Sequence, residues 1–322
     1  MARPKIIVTR KLPEPVEARL KSLFTVALNP TDAPFSKEKL TTAMTRADGL
    51  LCTFGDKMDA DILTANGKRS TKIIANFGVG TNHIDLETAE DIGVVVTNTP
   101  GVLNDATADL AMALILASTR RMYFHEARLR RGEWGGFDIS SGLGSSLRGK
   151  TLGVIGMGRI GTALAQRAHF GFGMKVIYFN RSKVLVPSIS EAHAVESINA
   201  LMAEADVVSL HVPGDVDNHH LIGTERLALM KPGAHLINTA RGDVVDEAAL
   251  ISALEAGAIA GAGLDVFEQE PRVPEALVAL ENVTLLPHIG SATLETRIAM
   301  GMRAVDNLVA FFADKVPPHQ VM

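Results

Sequence analysis

Short runs of aliphatic and β-branched residues alternate along this chain with longer stretches in which apolar residues recur every three or four positions. That is the pattern of strands and amphipathic helices taking turns. Over the first hundred residues, Lys5 to Val8, Phe24 to Leu28, Gly49 to Thr53, Lys72 to Asn76 and Val94 to Val96 predict strands. Helices are predicted between them near Glu14 to Ser22, Ser36 to Arg46, Asp59 to Ala65 and Asp85 to Ile92. Such alternation implies a parallel sheet covered by helices. The turn cluster Asn98 to Gly101, NTPG, interrupts the rhythm and predicts a hinge. From Asp105 to Arg130 the spacing predicts one long helix closed by Gly132, and the Gly/Ser-rich stretch from Gly135 to Arg148 predicts a surface loop.

The segment from Thr151 to Ser182 reads as strand, glycine-rich turn, helix and strand. Gly156, Gly158 and Gly161 fit G-x-G-x-x-G, with Arg159 and Ile160 opening the helix. The first glycine permits a sharp turn, the second lets backbone approach a pyrophosphate, and the third lets helix pack on strand. The helix N-terminus then faces the phosphates, so a dinucleotide site is expected. The second strand, Lys175 to Phe179, ends where an acidic residue would grip a ribose 2′-hydroxyl. That place holds Asn180, followed by Arg181, Ser182 and Lys183. An amide beside two cations and a hydroxyl suits a 2′-phosphate, so NADP(H) is expected ahead of NAD(H), which stays possible.

The βα rhythm resumes with a helix near Ile198 to Ala205 and strands at Asp206 to Leu210, Ala234 to Asn238, Gly261 to Leu264 and Val283 to Leu286, making six strands in this second unit. A final helical run, Thr293 to Phe312, lies outside it. The expected fold is α/β with two doubly wound parallel-sheet domains. A dinucleotide-binding domain of residues 101–290 is inserted into a discontinuous substrate domain of residues 1–100 and 291–322. Gly144 to Thr151, GSSLRGKT, also satisfies a phosphate-loop pattern, but a Gly/Ser loop precedes it and a strand follows, the reverse of what that loop needs.

With 322 residues and 47% hydrophobic content, two sizeable cores are affordable. Lysine and arginine number 32 against 36 aspartates and glutamates, a net charge of −4, too mild and too mixed for a nucleic-acid or membrane-surface partner. The single cysteine, Cys52, excludes an intrachain disulfide and sits in apolar surroundings. No signal peptide fits the N-terminus, and the apolar stretch around Leu110 to Ser118 is too short to span a bilayer. A cytoplasmic protein is expected.

Ligands of doubly wound sheets lie beyond the carboxyl ends of the strands. Three polar residues end strands there: Arg241, Glu270 and His288. Singly, each reads equally well as a surface arginine, a loop carboxylate or a turn histidine. Together they supply what hydride reduction of a ketone needs. A histidine gives the proton to the developing alkoxide, a carboxylate stabilises the imidazolium, and an arginine binds a substrate carboxylate. His219 and His220 are adjacent, and no spacing of His with carboxylates resembles a ligand set, so no metal is expected.

Six motifs occur in order: NFGVGTNHID (Asn76 to Asp85), NTPG (Asn98 to Gly101), GKTLGVIGMGRIG (Gly149 to Gly161), NTARGDVVDEAAL (Asn238 to Leu250), GAGLDVFEQEP (Gly261 to Pro271) and LLPHIGSAT (Leu285 to Thr293). Through them the chain resembles the D-isomer-specific 2-hydroxyacid dehydrogenase family, particularly its glyoxylate/hydroxypyruvate reductase branch. The resemblance implies a Rossmann cofactor domain inserted into a flavodoxin-like substrate domain. It implies that Arg241 orients the substrate, His288 is the acid/base and Glu270 supports it, and that the amides of Val79 and Gly80 take the substrate carboxylate. Leu51 and Trp134 would adjoin the substrate, Trp134 by crossing a homodimer interface. Thr107, Thr239, Asp265 and Gly290 would lie near the cofactor, Asp265 at its carboxamide, with Val212 and Pro213 on the adenosine side. The implied reaction is NADPH-dependent reduction of glyoxylate or hydroxypyruvate to the D-2-hydroxy acid. Two alternatives stay open: an NAD-linked dehydrogenase for another D-2-hydroxy acid such as D-3-phosphoglycerate, and a nonenzymatic dinucleotide sensor.

Overall fold

The computed structural model describes residues 3–321, the side chain of Asn66 aside. The chain forms two compact units, one running to Leu103 and resuming at Ser291, the other Asn104–Gly290. In the first, β1 (Lys5–Val8), β2 (Thr25–Ala27), β3 (Gly49–Thr53), β4 (Ile73–Phe77) and β5 (Val95–Thr97) make a parallel sheet in the order β2-β1-β3-β4-β5. This is the flavodoxin-like order. β3 and β4 are buried at every position, because a central parallel strand is covered on both faces, whereas β2 at the edge is largely exposed. The intervening helices are α1 (Glu14–Leu23), α2 (Lys37–Arg46), α3 (Ala60–Thr64) and α4 (Leu86–Asp91). Ser36, Asp59 and Asp85 start the last three by accepting a first-turn amide.

The second unit opens with α5 (Asn104–Thr119) and α6 (Met122–Arg130). Then come β6 (Thr151–Ile155), α7 (Arg159–Gln166), β7 (Lys175–Phe179), β8 (His193–Ala194), α8 (Ile198–Glu204), β9 (Val207–Leu210) and α9 (Thr224–Leu227). β10 (His235–Asn238), α10 (Glu247–Glu255), β11 (Gly261–Leu264), α11 (Glu275–Val278) and β12 (Val283–Leu285) complete it. Its sheet is parallel throughout, in the order β12-β11-β10-β9-β6-β7-β8. Strand order reverses between β6 and β9, which is where such sheets bind ligands.

Two expectations are corrected. The single helix expected from Asp105 to Arg130 is two, broken where Arg121 adopts φ 53°. Thr119 turns its hydroxyl to the Ile115 carbonyl (2.7 Å), and the amide of Ser145, arriving from the following loop, takes the Thr119 carbonyl (2.8 Å). The returning chain thus caps α5 and stops it. The second sheet has seven strands rather than six, since exposed two-residue β8 pairs with β7 at the edge. It is too short to carry a period.

The chain then returns to the first unit as α12 (Leu294–Phe312), capped by Thr293. α12 lies so close to α1 that a Cβ on Gly301 would meet Val16 at 2.5 Å. Beyond it, Gln320 bridges to Thr97 at the end of β5. No helix among the described residues is long and apolar enough to cross a membrane.

Candidate active site

The glycine turn forms because β6 is followed at once by Gly156, whose φ of 96° suits a residue without a side chain. A Cβ there would meet the His211 backbone at 2.7 Å, and one on Gly161 would meet the Gly156 carbonyl oxygen at 2.4 Å. Gly158, by contrast, faces open space, with no atom within 4 Å of the Cβ position. It caps α7, which Arg159 and Ile160 open, and no side chain occupies the helix's first amides. Two tight contacts, one opening and undirected amides fit a dinucleotide pyrophosphate.

Asn180 braces this turn. Its Oδ1 accepts the Met157 amide (3.1 Å) and its Nδ2 donates to the Ser182 carbonyl (3.0 Å). Arg181, Ser182 and Lys183 are exposed beside it, Arg181 lying 3.5 Å from Asp217. Val212 and Pro213 follow β9, and the Val212 nitrogen lies 3.0 Å from where a Cβ on Gly156 would stand. The buried Thr239 hydroxyl has no hydrogen-bond partner among the described residues, so a bound group could satisfy it.

Arg241, Glu270 and His288 are held by neighbouring loops of the second unit. Asn238, ending β10, ties the arginine turn by donating to the Arg241 carbonyl (2.8 Å) and accepting from the Ala240 amide (3.0 Å). Gly242 then presses on the loop carrying Glu270, where an added Cβ would stand 1.9 Å from the Phe267 carbonyl carbon. The Phe267 amide in turn donates to Glu270 Oε1 (3.0 Å), and Glu270 Oε2 lies 2.7 Å from His288 Nδ1. The backbone of His288 is left-handed (φ 55°), with its amide donating to the Asp265 carbonyl (2.9 Å). The Asp265 carboxylate accepts the next two amides, Ile289 (2.7 Å) and Gly290 (2.8 Å), while Thr107 donates to the Gly290 carbonyl (3.3 Å). Thr107, Asp265 and Gly290 therefore form one knot behind His288. Both Asp265 oxygens serve it, a role the sequence did not suggest.

Burial pushes the Glu270 carboxyl up, but the hydrogen bond and charge of His288, with Phe267 and Arg241, outweigh it and hold it below its ordinary value. Burial pulls the Arg241 guanidinium below its ordinary value, against Glu270 and Asp243. A guanidinium short of solvation gains from an incoming carboxylate.

Three placements change the sequence picture. Leu51 is 0% exposed in the middle of β3, a core residue with no surface for a substrate, whereas Phe54 just past the strand end is exposed. Trp134 stands 71% exposed after α6. His220, Asp246 and Glu268, expected to form no ligand set, bring their ligand atoms within 4.8 Å of one another. They arrive from three loops, so linear spacing could not reveal them. His220 Nε2 pairs with Glu268 Oε1 (2.8 Å), and Asp246 caps α10, which accounts for the cluster without an ion. Glu268 also exchanges hydrogen bonds with Glu247, steadying the loop that carries Glu270. Val79 and Gly80 lie in the first unit, in the turn after β4.

Residues 112–290 match the family model described as D-isomer specific 2-hydroxyacid dehydrogenase, NAD binding domain. A glyoxylate reductase of Thermococcus litoralis is 46% identical, over 99% of this chain and 97% of its own. The NADPH-dependent glyoxylate/hydroxypyruvate reductase of Sinorhizobium meliloti, solved with NADP and malonate, is 38% identical with a TM-score of 0.86, covering 99% of this chain and 97% of its own. A glyoxylate reductase from Paecilomyes thermophila is 33% identical with a TM-score of 0.88, covering 100% and 99%. Those relationships and the strand-end Arg, Glu and His have one reading: this chain belongs to the D-isomer-specific 2-hydroxyacid dehydrogenase family, in its glyoxylate/hydroxypyruvate reductase branch, and is an NAD(P)-dependent oxidoreductase.

Proposed function

We propose that this enzyme reduces glyoxylate or hydroxypyruvate to the D-2-hydroxy acid with NADPH. The carrying observation is the Glu270–His288 pair at 2.7 Å beside a desolvated Arg241. When bound, the dihydronicotinamide supplies hydride to the carbonyl carbon. Arg241 orients the substrate carboxylate and polarises the carbonyl. With Nδ1 on Glu270, His288 gives the proton at Nε2 to the carbonyl oxygen as that oxygen gains charge, and Glu270 stabilises the imidazolium beforehand. The amides of Val79 and Gly80, in the first unit, are the groups that the family resemblance assigns to a substrate carboxylate. Thr107, Thr239, Asp265 and Gly290 hold the nicotinamide end of the cofactor, and Val212 and Pro213 flank the adenosine.

The NADPH preference rests on Asn180 in the place of an acid, with Arg181, Ser182 and Lys183 exposed around it. The active form in this reading is a homodimer. Met122, Tyr123 and Leu129 of α6 are exposed, as are Trp134, Phe137 (92%), Ile139 and Leu143 of the following loop, far more apolar surface than one segment of a monomer ordinarily presents.

Oxidation of NADPH and of NADH by the purified protein, each with glyoxylate, hydroxypyruvate, pyruvate and 3-phosphohydroxypyruvate, tests the whole reading. Turnover is expected with NADPH and the first two acids. A preference for NADH would overturn the cofactor assignment, and turnover only with 3-phosphohydroxypyruvate would overturn the substrate.

A further inference from the structure

The turn after β4 is held in an unusual way: three successive carbonyls are tied to polar groups of the first unit. The Gly78 carbonyl accepts from the Thr99 amide (2.9 Å) and from Asn76 Nδ2 (3.3 Å). The Val79 carbonyl accepts from Asn98 Nδ2 (2.9 Å), and the Gly80 carbonyl from Asn76 Nδ2 (2.9 Å). Asn76 is wholly buried, and its Oδ1 lies 3.1 Å from His83 Nε2, which fixes the amide's orientation. Asn98 is itself held at both ends of its backbone. Its amide donates to the His319 carbonyl (3.0 Å), and its carbonyl accepts from Asn307 Nδ2 of α12 (3.0 Å).

In a trans peptide the carbonyl of one residue and the amide of the next point in opposite directions. Tying the Gly78 carbonyl therefore turns the Val79 amide away from Thr99 and Asn76. Tying the Val79 carbonyl likewise turns the Gly80 amide away from Asn98. We infer that Asn98 and Asn76 are positioning residues for the reaction, whose side-chain amides fix the two peptide planes so that the Val79 and Gly80 amides are aimed at a substrate carboxylate. This rests on the reading of the site as one for a 2-oxo acid. A glycine-flanked turn without these ties would sample many orientations, and the anion would have to order it on binding. Asn98 carries the specific duty, because its Nδ2 is the donor recorded on the Val79 carbonyl.

The experiment compares wild type with Asn98→Ala and Asn98→Leu, the second of which keeps the shape and loses the donor without adding a charge. Both variants should raise KM for glyoxylate and Ki for oxalate about tenfold, on the order of 1.4 kcal/mol. kcat should stay within about twofold and NADPH affinity should be unchanged, since in this reading Asn98 acts only through the Val79 peptide, while the lost hydrogen bond of about 0.5–1.5 kcal/mol lowers the melting temperature by no more than a few degrees. In parallel, oxalate is titrated into 15N-labelled protein. The Val79 and Gly80 amide resonances should move in wild type and respond only at higher oxalate in Asn98→Ala. Wild-type KM in either variant, a fall in kcat with KM unchanged, or silent Val79 and Gly80 amides in wild type would each overturn the inference. Absence of turnover by wild type would instead sink the substrate reading, and the amide titration would still judge the turn.

Discussion

His288 Nδ1 stands 2.7 Å from Glu270 Oε2, and this contact, with Phe267 and Arg241, outweighs burial and holds the carboxyl below its ordinary range. His288→Asn should lower kcat roughly 10²- to 10⁴-fold while leaving cofactor affinity intact. Glu270→Gln keeps a hydrogen-bonding side chain but removes the charge. Without the carboxylate the ring loses the partner that holds its Nδ1, so kcat should fall at least about tenfold. A kcat for Glu270→Gln within about twofold of wild type would refute the pair's role.

Gly242 joins the arginine loop to the glutamate loop. Alanine there would place its Cβ 1.9 Å from the Phe267 carbonyl carbon, which is backbone and cannot swing aside. Gly242→Ala should cost about 1–3 kcal/mol or more in urea unfolding and lower kcat as Arg241 and Glu270 part. Gly233, whose Cβ would meet nothing within 4 Å, is the control, and Gly233→Ala should be close to neutral.

Asn180→Asp preserves an acceptor for the Met157 amide while adding a charge that repels a 2′-phosphate. The ratio of kcat/KM for NADPH to that for NADH should fall at least about tenfold, equivalent to about 1.4 kcal/mol. Arg181→Ala should weaken NADPH alone. Ratios unchanged in both variants would place the discrimination elsewhere.

His235, 5% exposed and 2.8 Å from the Ser118 hydroxyl, has its pKa lowered by burial from 6.5 to about 4. As pH falls from about 6.5 to about 4, the unfolded chain takes up a proton here that the folded chain refuses, so stability is lost across that window. The full loss is on the order of 3 kcal/mol. His235→Gln should reduce the dependence of the urea midpoint on pH between those limits without abolishing it, since burial lowers His211 to about 4 as well, and an unaltered slope would exclude His235 as a source.

The strand-end trio and the glycine turn were legible because each follows from one local period and one rule about sheet ends. Gly156, Gly158 and Gly161 differ in surroundings: a Cβ on the first or third would meet backbone, and one on the second would meet nothing within 4 Å. Features assembled from separated segments were not legible. The stop at Arg121 depends on Ser145, and the His220–Glu268 pair joins residues 48 positions apart. Asn76 and Asn98 stood in plain view within NFGVG and NTPG, yet a polar residue at a turn gives no sign of which carbonyl it will hold.

The first unit closes only with α12, which a ribosome delivers after the whole of Asn104–Gly290. The inserted unit is contiguous and can acquire its core while synthesis continues. The outer one must wait with β4 and α1 uncovered, at the faces that α12 will occupy. Without the residues from Leu294 onward, the contiguous second unit could still complete its core while β4 and α1 of the first kept an uncovered apolar face.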